Sequence, residues 1–235
     1  SWIPVEAVMN ADIVGNSRGG VGTPGTASVR VYAAGPEDSR SRSLARYVAR
    51  AAELYVPSHR VRLMARADRF NRASDHTPFE LKGYPAVAFR EASENFRRQH
   101  SPTDTPDGVD IRYLAQNTRV AAAAAGLLAL APPAPVVVND KGQPTIGRLP
   151  SGYDAHLRWS AVPGAASYRI YWRDTWSLEW QHERLAGNVT ELILPQVSID
   201  DYVFGVAAVG ADGHESLVSA YVGPPRLDED VQLVP

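Results

Sequence analysis

The Ala-Pro-Pro-Ala-Pro run at 131–135 divides the chain into two stretches whose apolar residues repeat with different periods, and therefore into two kinds of fold. Before it, short apolar runs alternate with helical patterns. Val5–Gly15 is an apolar run ending in the glycine-rich loop Gly15–Gly25, which reads as a buried strand entering a connection. Residues 28–34 form a second strand. From Ser39 onward Leu44, Tyr47, Val48, Ala51 and Tyr55 recur at helical spacing until Pro57. Residues 60–66 read as a further strand, and Tyr84–Glu91 is dense enough in apolar residues for a strand covered on both faces. A helical turn is expected at 94–99, then a long alanine-rich helix from about Val109 to Leu130, capped by Asp107 or Asp110. Strands alternating with helices imply an α/β layered domain with a mixed sheet and helices on both faces.

After Pro135 the helical pattern disappears. Residues 155–162, 167–174, 190–195 and 202–210 are short alternating strands separated by turns such as Pro163-Gly164 and Asp212-Gly213. Strands at this spacing indicate an antiparallel sandwich of about 100 residues. The domains are accordingly expected at 1–132 and 151–235, with 133–150 as linker and first sandwich residues.

Composition narrows the function classes. A formal net charge of −2 gives no basic field to draw the chain to nucleic acid or an anionic membrane. The arginine clusters at 40–50 and 60–72 are interrupted by acids and apolar residues, and read as a solvated helix face and a strand edge. Cysteine is absent, which removes disulfides, thiol catalysis and cysteine-ligated metal. The apolar run at 120–131 ends at Pro132 after about a dozen residues, short of the roughly 20 that a membrane span needs. The N-terminal residues lack the basic region and continuous apolar core of a signal peptide.

Three stretches of the first half carry candidate chemistry. Asp12, in Asn-Ala-Asp-Ile-Val-Gly-Asn, stands near the C-terminal end of a buried strand, where open α/β sheets place their ligands. Read alone, it is equally the cap of a glycine turn. Ser74-Asp75-His76 precedes a short amphipathic turn containing Phe79; the plain reading has Ser74 or Asp75 capping that turn and His76 exposed. His100 stands in Gln-His-Ser-Pro-Thr-Asp-Thr-Pro-Asp, a place where most histidines are simply solvated. Of the remaining candidates, Glu53 lies on the expected helix and His59 near a proline turn, while His156, His182 and His214 belong to the sandwich.

In this order and spacing the three stretches, with the trailing helix at 113–133, resemble the C-terminal half of a co-catalytic zinc aminopeptidase domain. That metallopeptidase family includes bacterial leucyl aminopeptidases and glutamate carboxypeptidases, and glutaminyl cyclases share its fold. The resemblance covers about residues 5–135. It implies that Asp12 ligates one zinc and His100 the other, with Asp75, His76 and Phe79 near the substrate cleft. Two Zn2+ ions sharing an activated water would then hydrolyse the N-terminal bond of a peptide. The family's His-x-Asp pair and Glu-Glu pair, which supply the bridging ligand and general base, precede the Asp12 strand and do not occur here. No catalytic residue is therefore expected on this chain. The expectation is a C-terminal portion of a longer polypeptide, partnered by an N-terminal segment of the same peptidase domain and inactive alone. The alternatives are a non-catalytic binding fragment or a glutaminyl cyclase-like enzyme. The second half resembles a fibronectin type III module, on Trp159, the Val162–Trp172 arrangement and Tyr202–Val209 followed by Asp212–Ser216. Relatives with such modules are commonly exported, so the resemblance implies a secreted or periplasmic location. Asn188-Val-Thr is a glycosylation acceptor only in a eukaryotic secretory context.

Overall fold

The computed structural model describes residues 5–19, 25–148 and 152–222. The first half is one four-stranded sheet built from β1 (Val8–Ala11), β2 (Ser28–Tyr32), β3 (Arg60–Met64) and β4 (Ala86–Glu91), in the order β1-β4-β2-β3. Strand β2 runs into helix α1 (Arg40–Tyr55) and returns as β3 parallel to it, a crossover of the kind parallel strands require. Strand β4 is antiparallel to β2 and parallel to β1, so the sheet is mixed. Only Val8–Ala11 of the long apolar run at 5–15 is strand. Residues 96–100 form turns and 94–95 are irregular, where the sequence suggests a helical turn over 94–99.

Alternation along the strands gives the sheet two unlike faces. Val29 and Val31 of β2, Val87 and Phe89 of β4 and Val61 of β3 enter one apolar core. Helix α1 meets it with Leu44, Val48, Ala51 and Ala52, and helix α3 (Ile111–Leu130) with Val120, Ala124 and Leu128. These spacings of three and four residues put each set on one helix face. Both long helices therefore cover the same face of the sheet. The opposite face carries Arg30 and Arg90, which stand directly opposite each other across β2 and β4. The connection 65–76 supplies it with a buried Asp68, and the five-residue helix α2 (Thr77–Leu81) follows.

Capping explains where the helices begin. The Ser39 hydroxyl accepts from the Arg42 amide at the start of α1, and the Asp110 carboxylate accepts from the Arg112 and Tyr113 amides at the start of α3. Helix α2 has His76 at its cap position with no side-chain bond, so neither Ser74 nor Asp75 caps it.

The second half is a seven-stranded antiparallel sandwich. One sheet has the order β11-β10-β7-β8, from β7 (Ala165–Asp174), β8 (His182–Gly187), β10 (Tyr202–Gly210) and β11 (Ser219–Ala220). The other is β5-β6-β9, from β5 (Ile146–Arg148), β6 (Asp154–Arg158) and β9 (Glu191–Ser198). Trp159 and Tyr168 pack with ring centroids 5.5 Å apart in a core that also takes Leu157, Ile170, Leu194, Phe204 and Val206. Val137 belongs to this core, so the sandwich begins soon after Pro135.

The two halves share a tight seam. Leu217 of the sandwich packs in the first core. The Arg46 Nε donates to the Leu178 carbonyl at 2.6 Å, Arg173 pairs with Asp38, and Arg50 meets Glu183 at 2.5 Å. The Trp180 ring has the guanidinium groups of Arg46 and Arg173 near it, 5.6 and 5.5 Å from its centroid. Arg46 is thus buried against the module, while Arg42 is buried against Glu37 and the Ala34 carbonyl of its own half. The arginine-rich side of α1 is a domain interface, contrary to the solvated face its sequence suggests. A cavity of about 230 Å³ remains in the seam, lined among others by Tyr47, Arg50, Leu54, Leu127, Tyr171 and Glu215.

Candidate metal centre

Asp12 follows β1 directly and stands on the arginine-bearing side of the sheet. Its Oδ2 accepts from the Ser74 hydroxyl at 2.6 Å and lies 3.4 Å from Arg90 Nη1, while its own carbonyl accepts from the same Nη1 at 2.8 Å. Among the described residues its Oδ1 takes no hydrogen bond, and the side chain is 42% exposed. Asp12 is therefore an oriented carboxylate with one oxygen held and one free.

The backbone beside it is unusual. Ile13 has φ 58°, a left-handed conformation that a β-branched residue rarely adopts. Two bonds hold it there: Glu91 N–H donates to the Ile13 carbonyl at 2.9 Å, and Asn16 N–H donates to Glu91 Oε1 at 2.5 Å. Burial pushes the Glu91 carboxyl up to about 7, against the opposing bond from the Asn16 amide and with the Glu94 carboxylate adding to the rise. On the other side, Asn117 of α3 donates to the Val14 carbonyl at 2.7 Å and accepts from the His59 ring at 2.7 Å. The turn carrying Asp12 is fixed from both faces of the sheet. Strain that the surroundings over-determine in this way concentrates at functional sites.

His100 lies in the turn-rich connection between β4 and α3. It is exposed, its imidazole makes no hydrogen bond among the described residues, and its φ is 56°. Two of the four non-glycine residues described with positive φ are thus His100 and the neighbour of Asp12.

The remaining predicted residues divide. Ser74, which the sequence reading treats only as a cap, binds Asp12 directly and also accepts from Asn10 Nδ2 at 2.8 Å. Asp75 beside it is exposed and makes no hydrogen bond among the described residues. His76 is fully buried and donates through Nε2 to the Ala67 carbonyl at 2.9 Å, so it is not the exposed residue of the plain reading. Phe79 is 39% exposed and meets the Tyr84 ring edge-on at 6.3 Å.

Sequence reasoning missed the charged bed beneath these residues. Arg90 and Asp68 pair at 2.8 Å with side chains 0% and 4% exposed. Burial pushes the Asp68 carboxyl up, but bonds from the Arg69 amide and from Arg90 outweigh it and hold it below its ordinary value. The legible signal was Arg90 itself, a charge inside a strand buried along its whole length, which needs a buried counter-ion.

A carboxylate with a free oxygen and an unengaged imidazole are donors of the kind zinc takes. Asp12 and His100 fit zinc in donor type. In number they do not close a site: among the described residues no group of three or more His, Cys, Asp or Glu side chains gathers to hold a metal ion.

The α/β domain thus presents an acidic turn at a strand end, with Ile13 in a left-handed conformation, and an exposed histidine in the loop that follows β4. Residues 3–125 match the model of peptidase family M28, and the chain belongs to that family. Curated relatives extend the match into the sandwich. A probable zinc metalloprotease of Leptosphaeria maculans is 34% identical over 90% of this chain and 54% of its own length. Namesakes from Pyrenophora tritici-repentis and Pyricularia oryzae are 33% and 31% identical over 90% and 91% of this chain, and 49% and 48% of their own lengths. The chain thus spans about half the length of the curated relatives it matches. An Fn3-like protein of Clostridium thermocellum is 25% identical over 41% of this chain and 98% of its own, with a TM-score of 0.32.

Proposed function

We propose that the whole protein is a zinc-dependent exopeptidase, an aminopeptidase, in which Asp12 ligates one zinc and His100 the other. The observation that carries this reading is the Asp12 carboxylate, with one oxygen fixed by Ser74 and Arg90 and the other free, inside the segment that matches the family. Zinc, when bound, supplies Lewis acidity and makes a water acidic near neutral pH. This chain's part is to hold the ligands. Ser74 and Arg90 keep Asp12 in one rotamer, and the held turn at Ile13 keeps the carboxylate from following its backbone. The other ligands and the general base come from a further segment of the same peptidase domain, which is also this chain's partner. The substrate is a peptide with a free N-terminus.

The test is zinc content and hydrolysis by the whole protein, using an aminoacyl-p-nitroanilide, its N-acetylated form and a peptide beginning with glutamine. About two zinc ions and cleavage of the free amine alone are expected. Cleavage of both anilides sinks the aminopeptidase assignment, and cyclisation of glutamine without hydrolysis moves the protein to cyclase chemistry. His100→Ala should lower zinc content and reduce kcat/KM by at least about 100-fold, as loss of a general catalytic element does, with an unchanged circular dichroism spectrum. Full activity with full zinc content would remove His100 from the site.

A further inference from the structure

Between Asp12 and the His100 loop lies a continuous set of charged bonds with no place in the metal-ligand reading. Glu94, its side chain fully enclosed, accepts from Arg30 of β2 at 2.6 Å and from Arg69 and Arg72 of the 65–76 connection at 2.5 and 3.1 Å. From Glu94 the bonds run two ways. Toward Asp12, Arg69 Nε donates to Asp68 Oδ1 at 3.0 Å, Asp68 Oδ2 accepts from Arg90 Nη2 at 2.8 Å, and Arg90 Nη1 reaches the Asp12 carbonyl. Toward His100, the neighbouring Gln99 donates to Glu94 Oε2 at 3.2 Å and accepts from Arg72 Nη2 at 2.6 Å. Both ends of the Gln99 amide are thus in use one residue before the left-handed His100.

We infer that Glu94, Arg72 and Gln99 are positioning residues that fix the His100 loop relative to Asp12 and so set the separation of the two ligands. The inference rests on the zinc reading of the site and deepens it. Four considerations support it. The guanidinium forks are planar and direct their bonds more narrowly than an ammonium would. Glu94, Arg90 and Asp68 are 0 to 4% exposed, so water does not loosen the inner links. A buried ion network of this kind is a poor device for stability, because desolvation offsets its attraction, and a better one for geometry. The 92–110 connection contains no helix longer than one turn at Pro106–Gly108, and the bonds of Arg98 to Thr103 and Thr105 and of Ser101 to Arg98 tie the loop only to itself, so the Gln99 amide is what ties it to the buried network.

The experiment measures zinc affinity by chelator competition, in the whole protein, for wild type, His100→Ala, Glu94→Gln and Gln99→Ala. Hydrogen exchange of residues 96–105 in the zinc-free protein accompanies it. Gln99→Ala leaves every ion pair in place and keeps the fold. Both positioning variants should bind zinc about 10–100-fold more weakly, the range typical of groups that orient ligands, and residues 96–105 should exchange faster. Should Glu94→Gln fail to fold, Gln99→Ala decides alone. Wild-type affinity in Gln99→Ala, with His100→Ala deficient, overturns the inference and leaves the zinc reading standing. Normal zinc affinity in His100→Ala, or no zinc in wild type, overturns the reading and the inference together.

Discussion

Glu91 shows how much a single side chain can be asked to do when its surroundings are fixed. It closes β4, its backbone amide holds Ile13 and its carboxyl receives the Asn16 amide, all within a site 3% exposed. Its carboxyl sits at about 7 when folded, against an ordinary value of 4.5. The folded state therefore keeps this proton at pH values where the unfolded chain has lost it. Stability contributed by the neutral form is complete below about pH 4.5 and is lost as pH rises toward 7, a change on the order of 3 kcal/mol for 2.5 units. Glu91→Gln should flatten the denaturant midpoint between pH 4.5 and 7, since the amide stays neutral and its oxygen still accepts from Asn16. An unchanged pH slope would show that Glu91 titrates normally. At this scale the sequence was only partly readable. The polar types and order at Asp12, Ser74–His76 and His100 were visible. That Ser74 binds Asp12, and that His76 turns inward to Ala67, depends on a sheet face no local pattern reveals.

Elements were legible where a period ran long enough. The stripe Leu44, Val48, Ala51 marked α1, and the pair of candidate caps Asp107 and Asp110 marked the start of α3, where Asp110 is the cap, because apolar spacing and capping are local properties. What failed was the outward side of α1. Arg46 and Arg50 read as solvated because nothing local distinguishes a charged face bound for water from one bound for the Leu178 carbonyl and the Glu183 carboxylate of another domain. Helix α1 is thus held on two sides and fixed at its start by one cap. The Ser39 hydroxyl receives the Arg42 amide at 3.2 Å and donates to the Ala34 carbonyl at 2.7 Å, joining the helix to the end of β2. Ser39→Ala should cost about 1 kcal/mol, the usual worth of such a cap, and lower the melting temperature by roughly 2–4 °C for a chain of this size. Ser39→Asp, which keeps an acceptor, should recover most of it. Equal melting of the alanine variant and wild type would mean that α1 is held by its packing alone.

At the scale of the molecule, the sandwich reads from sequence as a separate bead after a proline-rich break, yet it is built into the first domain. Leu217 fills the first core, and the Arg173–Asp38 pair crosses the seam with the arginine fully buried. Burial brings the Arg46 guanidinium down to about 10, with the nearby charge of Arg173 adding to the fall. Two cations this close stay in place because Glu37, Asp38 and the Leu178 and Ser177 carbonyls answer them. Asp38→Ala removes the carboxylate that pairs directly with Arg173 and leaves Glu37 at 3.8 Å from it. Breaking one side of a buried pair costs about 3–5 kcal/mol; with Glu37 remaining, the lower end of that range applies. The melting temperature should fall by roughly 6–12 °C. Calorimetry should also show one transition for the wild-type chain and two for the variant, the sandwich melting apart from the α/β domain. A module hung on a flexible linker would give two transitions from the outset and no response to Asp38→Ala, and that result would return the sandwich to the status of a spacer.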